Sequence, residues 1–234
     1  MRITATVRTK NEEKNLRRFV ESYQWADNVL IMDDFSDDET YLNEVVSEFE
    51  NAQWKQFPGK RVAKEGITRA PHGNHINALF DWAEEIGTDW IIFDDCDCFP
   101  NKLFRSSARE IIEACKQDFI YLVRIYLYKD KGYFPYMSKP AGEWEASAYA
   151  FRANQGFRFS VDESLPYIQT FVRPDESYVL RLMPPYCLIH CPWPDDEAIA
   201  IKRDRYSRTY GERYSRFDPL NFAGELDNLE VWMD

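Results

Sequence analysis

Residues 90–97 read WIIFDDCD, an apolar run that ends abruptly in carboxylates. Residues 29–40 repeat this arrangement as VLIMDDFSDDET. A short apolar run that stops at turn-forming residues is typical of a buried strand in a parallel sheet. In doubly wound sheets, ligands bind at the carboxyl ends of the strands, which is where both acidic clusters fall. Each segment therefore predicts a strand end that faces a ligand.

Strand and helix signals alternate on both sides of these segments. The predicted strands are residues 3–7, 29–32, 54–57, 89–93 and 119–127, and the predicted helices are residues 11–25, 39–49, 74–86 and 102–115. Strands alternating with helices of this length favour a mainly parallel sheet covered on both faces. We expect an α/β, Rossmann-like fold. From about residue 126, prolines and aromatic residues favour short strands and long loops, followed by a helix from residue 195 to about 216.

Composition excludes several classes of protein. The 234 residues carry a net charge of -11 and are 44% hydrophobic, which is too apolar for a disordered chain. No window is long and apolar enough for a transmembrane segment, and the charged start is unlike a signal peptide. Five sparse cysteines predict reduced thiols rather than a disulfide scaffold. We expect a cytoplasmic protein, with peripheral attachment to a membrane left open. The acidic excess argues against binding nucleic acid through bulk charge.

The carboxylates at the two strand ends have two interpretations. Converging carboxylates repel one another and are costly unless they hold a cation or a ligand. In the D-x-D of residues 95–97, both side chains can face one Mg²⁺ or Mn²⁺ ion and the phosphates it carries. The alternative is that the aspartates of residues 33–38 are turn formers and helix caps. Two such clusters, each closing an apolar strand, favour the ligand site.

Three motifs in order resemble the nucleotide-sugar glycosyltransferases of the GT-A fold, family 2 type. They are TKNEEKNL at residues 9–16, MDDFSDDET at residues 32–40, and DWI at 89–91 followed by DCD at 95–97. Order and spacing match across residues 1–105, close to half of the chain. Phe35 stands where the family has a glycine, and the segment before the third motif departs from the family pattern.

The resemblance implies a GT-A fold and a metal-dependent glycosyltransferase that moves a sugar from a nucleoside-diphosphate donor, a UDP-sugar being favoured, to a hydroxyl acceptor with inversion by single displacement. It implies Mn²⁺ or Mg²⁺ as cofactor. The implied nucleotide-sugar-binding residues are Thr9, Asn11, Glu12, Asp33, Asp34 and Asp95, with Arg69 or His75 contacting the diphosphate, and the implied metal ligands are Asp95, Asp97 and His190.

We expect one GT-A-like domain over residues 1–234, made of a nucleotide-sugar-binding half (1–120), an acceptor half (121–194) and a C-terminal helix and tail (195–234). Sugar transfer needs a general base that takes a proton from the acceptor hydroxyl. The candidates in the acceptor half are Asp162 or Glu163, with Glu143 next; the alternative for each is an exposed loop carboxylate. The acceptor is a glycan, a lipid-linked sugar or another hydroxyl compound.

Histidine and cysteine residues leave a competing metal hypothesis. His190 has the place of a late histidine that joins the D-x-D metal in some GT-A enzymes, although a lone histidine is more often structural. A zinc site made from Cys187, His190 and Cys191 with Cys96 and Cys98 is the rival. Its C-x3-C and C-x-C spacings are not those of common zinc modules.

Residues 202–216 form the one basic stretch, with six basic and two acidic residues and a tyrosine every fourth position. Such a helix either packs its tyrosine stripe on the domain or contacts a phosphate-bearing acceptor, an anionic membrane or nucleic acid. Nucleic acid is not the favoured partner. The alternative functions are a nucleotidyltransferase, a glycosyltransferase that acts on modified DNA bases, and a non-catalytic carbohydrate- or nucleic-acid-binding module. A nucleotidyltransferase should carry a glycine-rich loop after its first strand, where residues 8–12 have no glycine.

Overall fold

The computed structural model describes residues 1–64, 67–128, 131–135, 146–161, 171–172, 174, 178–182, 186–193, 200 and 223–225. In chain order the elements are β1 (Ile3–Thr9), α1 (Glu13–Ser22), β2 (Asn28–Asp33), α2 (Thr40–Glu48), β3 (Ala52–Gln56), β4 (Val62–Lys64), β5 (Ile67–Arg69), α3 (His72–Glu85), β6 (Trp90–Asp95), β7 (Cys98–Pro100), α4 (Lys102–Ala114), β8 (Phe119–Tyr128), β9 (Lys131–Pro135), β10 (Ala146–Arg152), β11 (Arg158–Phe159), β12 (Phe171–Val172), β13 (Val179–Arg181), β14 (Cys187–Trp193) and β15 (Ala223–Glu225).

One large mixed sheet organises these elements in the order β15-β9-β8-β10-β6-β1-β2-β3. The strands β6, β1, β2 and β3 are parallel neighbours. The strand β10 runs antiparallel between β6 and β8, while β13 and β14 pair parallel to β8. The predicted α/β fold is confirmed, but the sheet is mixed: it is parallel from β6 to β3 and carries antiparallel pairs beyond β6.

The apolar runs of β2 and β6 are continuous because both faces of the sheet are covered. In β6, Trp90 and Ile92 enter one hydrophobic core while Ile91 and Phe93 enter a second core on the other face. A strand alternates its side chains between faces, so a strand with two buried faces has no polar positions. The helices α1 and α4 contribute to the first core and α3 to the second, which gives the three-layer arrangement.

The register of the sheet brings three strand ends together. The strand β1 lies between β2 and β6, with Thr9 opposite Asp33 and Arg8 opposite Asp95. Since these strands are parallel, their carboxyl ends share one edge of the sheet. The loops that follow β1, β2 and β6 therefore surround a common space.

The short strand β7 is a feature that the sequence patterns missed. It follows the acidic segment of β6 directly and pairs antiparallel with β14, which is itself parallel to β8. In this register His190 lies opposite Cys98. The chain thereby returns to the end of β6 from nearly 100 residues downstream. The predicted C-terminal helix lies outside the described residues, apart from the helical position 200.

Candidate active site

Asp95 marks the end of β6 and is held by an arginine on the neighbouring strand. Arg8 donates from Nη2 to Asp95 Oδ1 over 2.9 Å, and the Asp95 side chain keeps 37% of its surface exposed. Burial, the largest single influence, raises the pKa of Asp95, but Arg8 and Arg124 together hold the pKa below its usual range. Asp95 is therefore a partly exposed carboxylate at the carboxyl end of β6.

Asp94, one residue earlier, has the opposite environment. It is 2% exposed, and burial raises its pKa to about 7 against the attraction of Arg124, whose Nη2 lies 3.5 Å from Asp94 Oδ1. Among the described residues, Asp94 Oδ2 is a buried atom without a hydrogen-bond partner. Adjacent residues of a strand point to opposite faces, so Asp94 points into the protein while Asp95 points towards Arg8.

Asp97 lies in the turn between β6 and β7, next to His190 from β14. His190 Nε2 is 3.2 Å from Asp97 Oδ1, and both side chains are mostly buried. The Cys98 thiol is 3.9 Å from the same Asp97 oxygen. Asp97, Cys98 and His190 thus form a cluster of three side chains that could hold a metal ion, with their donor atoms within 4.8 Å of one another. Of the three implied metal ligands, Asp97 and His190 come together in this cluster, whereas Asp95 is not part of it.

The Asp33 carboxylate at the end of β2 closes a turn. It is fully buried and accepts hydrogen bonds from the Ser36 amide over 2.7 Å and from the Ser36 hydroxyl over 2.5 Å. Burial raises the pKa of Asp33, and the two bonds from Ser36 oppose that rise. The hydroxyl of Tyr41 lies 2.9 Å from Ser36 Oγ and extends the network to α2. The observed contacts of Asp33 are those of a turn former, and its predicted contact with the nucleotide stays a prediction.

Asp34 is paired with an arginine that sequence patterns did not select. Arg61 Nε donates to Asp34 Oδ1 over 2.8 Å, and the Ala70 amide donates to the same oxygen over 3.1 Å. Lys10 Nζ donates to the backbone oxygens of Asp34 and Phe35. Burial lowers the pKa of Lys10, and nearby Asp34 opposes that effect. Positive charge therefore surrounds the acidic loop from two sides.

Phe35 adopts the left-handed backbone conformation that its family position usually gives to glycine, with φ of 57°. A side chain in this region costs roughly 1–2 kcal/mol. The Arg61 guanidinium lies 4.6 Å from the centre of the Phe35 ring, and the ring is partly exposed. A cation over an aromatic face stabilises this arrangement by about 0.5–1 kcal/mol at an exposed site. The loop thus places a non-glycine residue in a left-handed conformation.

The loop after β1 is tied to the loop after β2. Asn11 has φ of 54°, and its side chain exchanges two hydrogen bonds with Asp37, each 2.8 Å long. The backbone amide of Asn11 also donates to Ser36 Oγ. Glu12 is the N-cap residue before α1 and accepts from Asn15 Nδ2, while Thr9 Oγ1 is 3.4 Å from the Tyr41 hydroxyl. The predicted nucleotide-binding residues Thr9, Asn11 and Glu12 therefore line one continuous loop wall.

His75 and Arg69, the two candidates for the diphosphate, differ in accessibility. His75 is 4% exposed, and its Nε2 donates to the Met32 carbonyl over 2.9 Å. Burial lowers the pKa of His75 to about 3, so the ring is neutral. Arg69 is only partly buried and lies close enough to Lys10 and His72 to lower the pKa of each. Arg69 is therefore the more accessible of the two side chains, and the predicted contact with the diphosphate stays a prediction.

Three basic residues near the strand ends were missed by sequence reasoning or left without a role. They are Arg8, Lys10 and Arg61. The signal that marks two of them is positional, since Arg8 and Lys10 flank Thr9 at the end of an otherwise uncharged strand. His72 was also missed; burial lowers its pKa to about 3, with Arg8 acting in the same direction.

The helix α3 fixes the segment that leads to the predicted general base. Asn77 donates from Nδ2 to the Phe159 carbonyl over 2.9 Å and accepts from the Phe159 amide over 2.8 Å. A Cβ added to Gly73 would lie 2.2 Å from the Ser160 carbonyl oxygen, so the backbone of α3 approaches this segment closely. Asp162, Glu163 and Glu143 themselves lie outside the described residues.

The cysteines do not form the rival zinc site in the part of the chain that the structure describes. Cys96, Cys98, Cys115 and Cys187 are free and buried, which agrees with the predicted reduced thiols. The metal-binding cluster found there contains Cys98 with Asp97 and His190, whereas Cys96 and Cys187 are not part of it. The side chain of Cys191 is not described.

Comparison with known proteins identifies relatives of the chain. The sequence model of the family described as Glycosyl transferase family 2 matches residues 4–172, well over half of the chain. None of the curated proteins matches. Among solved structures, S. aureus TarS 1-349 is similar with a TM-score of 0.53 and 17% identity over 92% of this chain and 68% of that one. The same fragment in complex with UDP-GlcNAc has a TM-score of 0.53 and 14% identity, with 92% and 69% covered.

Similarity at this level of identity establishes the GT-A-like fold. A further TarS structure matches over 92% of this chain and 41% of its own length, with a TM-score of 0.53 and 16% identity. Within the described residues, no helix has the length and hydropathy needed to cross a membrane.

Proposed function

The chain belongs to glycosyl transferase family 2 and is a glycosyltransferase, and from this premise we propose that it moves a sugar from a nucleoside-diphosphate donor to a hydroxyl acceptor. A UDP-sugar is the favoured donor, and the proposed reaction is a metal-dependent single displacement with inversion. The similar TarS fragment forms a complex with UDP-GlcNAc, which makes this compound the first donor to test.

The observation that carries the proposal is the meeting of three strand ends at one edge of the sheet. Asp95 and Asp97 face this edge beside Arg8 and His190, and Lys10 and Arg61 lie at the neighbouring loop. Acidic side chains suit the hydroxyls and N–H groups of a nucleoside, and basic side chains suit its phosphates. A site that offers both within one opening matches a nucleoside diphosphate better than a neutral sugar alone.

Asp97 and His190 have the donor set that a divalent cation requires. A carboxylate oxygen and an imidazole nitrogen 3.2 Å apart can bind one ion at the same time. Mn²⁺ or Mg²⁺ there supplies positive charge to the departing diphosphate. Asp95, held by Arg8, is positioned to accept from the ribose hydroxyls or to join the same ion.

The two favoured candidates for the general base follow β11 in the sequence. Asp162 or Glu163 is proposed to take the proton of the acceptor hydroxyl, with Glu143 as the next candidate. The support is positional. Asn77 of α3 holds Phe159 by two hydrogen bonds, and Phe159 packs in the same core as Phe93, two residues before Asp95. The proposed mechanism requires the base beside the donor site, where the acceptor oxygen has to attack.

A donor screen with purified protein tests the proposal. UDP-, GDP-, ADP- and CDP-sugars are added with Mn²⁺, and the thermal midpoint and the slow release of nucleoside diphosphate are measured. A ligand that binds only the folded chain raises the midpoint. We expect a UDP-sugar to raise the thermal midpoint most. We also expect it to be the only donor whose hydrolysis depends on the metal. If no nucleotide sugar raises the midpoint or is hydrolysed, the proposal is wrong. Binding that needs no cation and leaves the donor intact would instead favour a non-catalytic binding module.

A further inference from the structure

The strand pair β7–β14 determines which side chains face the end of β6. His190 lies directly opposite Cys98 in this antiparallel pair, and Ile189 lies opposite Phe99. Residues directly opposite in an antiparallel pair project to the same face, with Cβ atoms about 4.5–5.5 Å apart. Cys98 and His190 therefore share one face, while Phe99 and Ile189 share the other.

Two of the three donor separations in this cluster are close to those of a tetrahedral metal site. His190 Nε2 and Asp97 Oδ1 are 3.2 Å apart, Cys98 Sγ and Asp97 Oδ1 are 3.9 Å apart, and all three lie within 4.8 Å. With Zn–N and Zn–O bonds of about 2.0–2.1 Å and a Zn–S bond of about 2.3 Å, tetrahedral geometry separates nitrogen from oxygen by about 3.3 Å and sulfur from oxygen by about 3.6 Å.

The chemistry of the three donors distinguishes between metals. Carboxylate and imidazole groups accept Mn²⁺ and Zn²⁺ alike, but a thiolate ligand selects Zn²⁺ and other soft ions. Cys98 has no exposed surface, while Asp97 and His190 keep 16% and 14% of their side chains exposed. The cluster is thus closed on the sulfur side and open on the side of the carboxylate and imidazole.

We propose that Cys98 is the third protein ligand of a centre that also contains Asp97 and His190, and that this centre binds Zn²⁺ more tightly than Mn²⁺. The thiol proton passes to solvent when the metal binds, as in other thiolate sites. Three protein ligands leave the fourth position open, as in zinc sites that take a water or a substrate atom. One part of the inference rests on the proposed function: the ligand in this fourth position is a phosphate oxygen of the nucleotide-sugar donor.

Cobalt binding tests the role of the sulfur directly, because Co²⁺ replaces Zn²⁺ in such sites and a thiolate ligand gives a charge-transfer absorption band in the near ultraviolet. Co²⁺ alone is titrated into the wild-type protein, Cys98→Ser and the matched control Cys96→Ser, and Zn²⁺ is then added as competitor. We expect the band in the wild type and in Cys96→Ser and its loss in Cys98→Ser. The affinity for Zn²⁺ should fall at least about tenfold in Cys98→Ser, since even outer partners of a metal ligand contribute that much.

A second measurement covers the case in which the buried substitution prevents folding. X-ray absorption of the Zn²⁺-loaded wild type should then give one sulfur ligand at about 2.3 Å. A wild-type protein that binds cobalt with no thiolate band, or zinc with no sulfur ligand, or Mn²⁺ more tightly than Zn²⁺, overturns the inference.

The outcome is separable from that of the donor screen. Metal-dependent hydrolysis of a nucleotide sugar without a thiolate band leaves the proposed function intact and refutes the zinc centre. A thiolate band without binding or hydrolysis of any donor retains the zinc centre and refutes the proposed function.

Discussion

The strand ends of β2 and β6 carry the same sequence signature and are built differently. At the end of β2, Asp33 and Asp34 are buried and accept hydrogen bonds from Ser36, Arg61 and a backbone amide. At the end of β6, Asp95 is partly exposed. Asp97 lies beside a histidine and a thiol. Buried carboxylates that accept hydrogen bonds from the protein stabilise a loop, whereas partly exposed carboxylates can bind a ligand.

The comparison shows that the partners of an acidic residue decide its role. A buried carboxylate is tolerated only when hydrogen bonds or charges compensate for lost hydration, as Ser36 does for Asp33. At the β6 end, Arg8 donates to Asp95 and Arg124 adds positive charge nearby, while the Asp95 side chain stays partly exposed. Four substitutions probe this difference, in order of decreasing effect.

Asp97→Asn removes a metal-binding carboxylate from the β6 end. We expect transfer and Mn²⁺-dependent donor binding to be lost, with activity reduced by about a thousandfold, because a bound cation supplies several kcal/mol of charge stabilisation. Activity and calorimetric binding of UDP with Mn²⁺ are measured on folded protein. Asp89→Asn, at the opposite end of the same strand, is the matched control. Unchanged binding of UDP and Mn²⁺ in Asp97→Asn would refute the metal assignment.

Asp33→Asn tests the β2 end as a structural loop. The amide has one acceptor oxygen where the carboxylate has two, so a charged hydrogen bond from Ser36 is lost. We expect the free energy of unfolding to fall by about 2 kcal/mol, with Mn²⁺-dependent binding retained in the folded fraction. Urea denaturation measures this. Asp37→Asn, on the exposed side of the same loop, should change stability by less than about 0.5 kcal/mol. An equal loss of donor binding in Asp33→Asn and Asp97→Asn would erase the contrast between the two ends.

Arg8→Met removes the partner of Asp95. The wild-type pKa of Asp95 is below its usual range, so its carboxylate is lost only when the pH falls through that low value. In the variant the pKa rises, and the acidic limb of the pH–activity profile should move to higher pH. Donor binding at neutral pH should weaken about tenfold, as expected for one charge-assisted pair. Arg2→Met, at the other end of β1, serves as control. An unmoved acidic limb would show that Arg8 does not tune Asp95.

Phe35→Gly is expected to have the smallest effect. Glycine relieves the left-handed backbone, worth roughly 1–2 kcal/mol, but loses the contact with Arg61 and increases the entropy of the unfolded chain. We expect stability to change by less than about 1 kcal/mol. A double-mutant cycle with Arg61→Met isolates the ring–guanidinium contact, with an expected coupling of about 0.5–1 kcal/mol. A coupling energy near zero would mean that the contact between the Phe35 ring and Arg61 does not stabilise the loop.

Much of the nucleotide-binding half was accessible to sequence reasoning because its signals are local. Hydrophobic runs and helical periodicity placed β1, β2, β6 and the helices between them within a few residues of their observed bounds. The acidic strand ends followed from the same patterns. Their unequal environments did not, because Arg61 is 27 residues from Asp34 along the chain and no periodic pattern connects them.

The sequence by itself determined the alternation of strands and helices, the positions where strands end in carboxylates, and the family. The tertiary structure alone decided which carboxylates stay accessible and which side chains meet them. Arg8 reaches Asp95 across 87 residues of chain through the β1–β6 register, and His190 reaches Cys98 through the β7–β14 register. The physical reason is that hydrophobic periodicity acts over a few residues, whereas register is decided by the packing of the whole sheet.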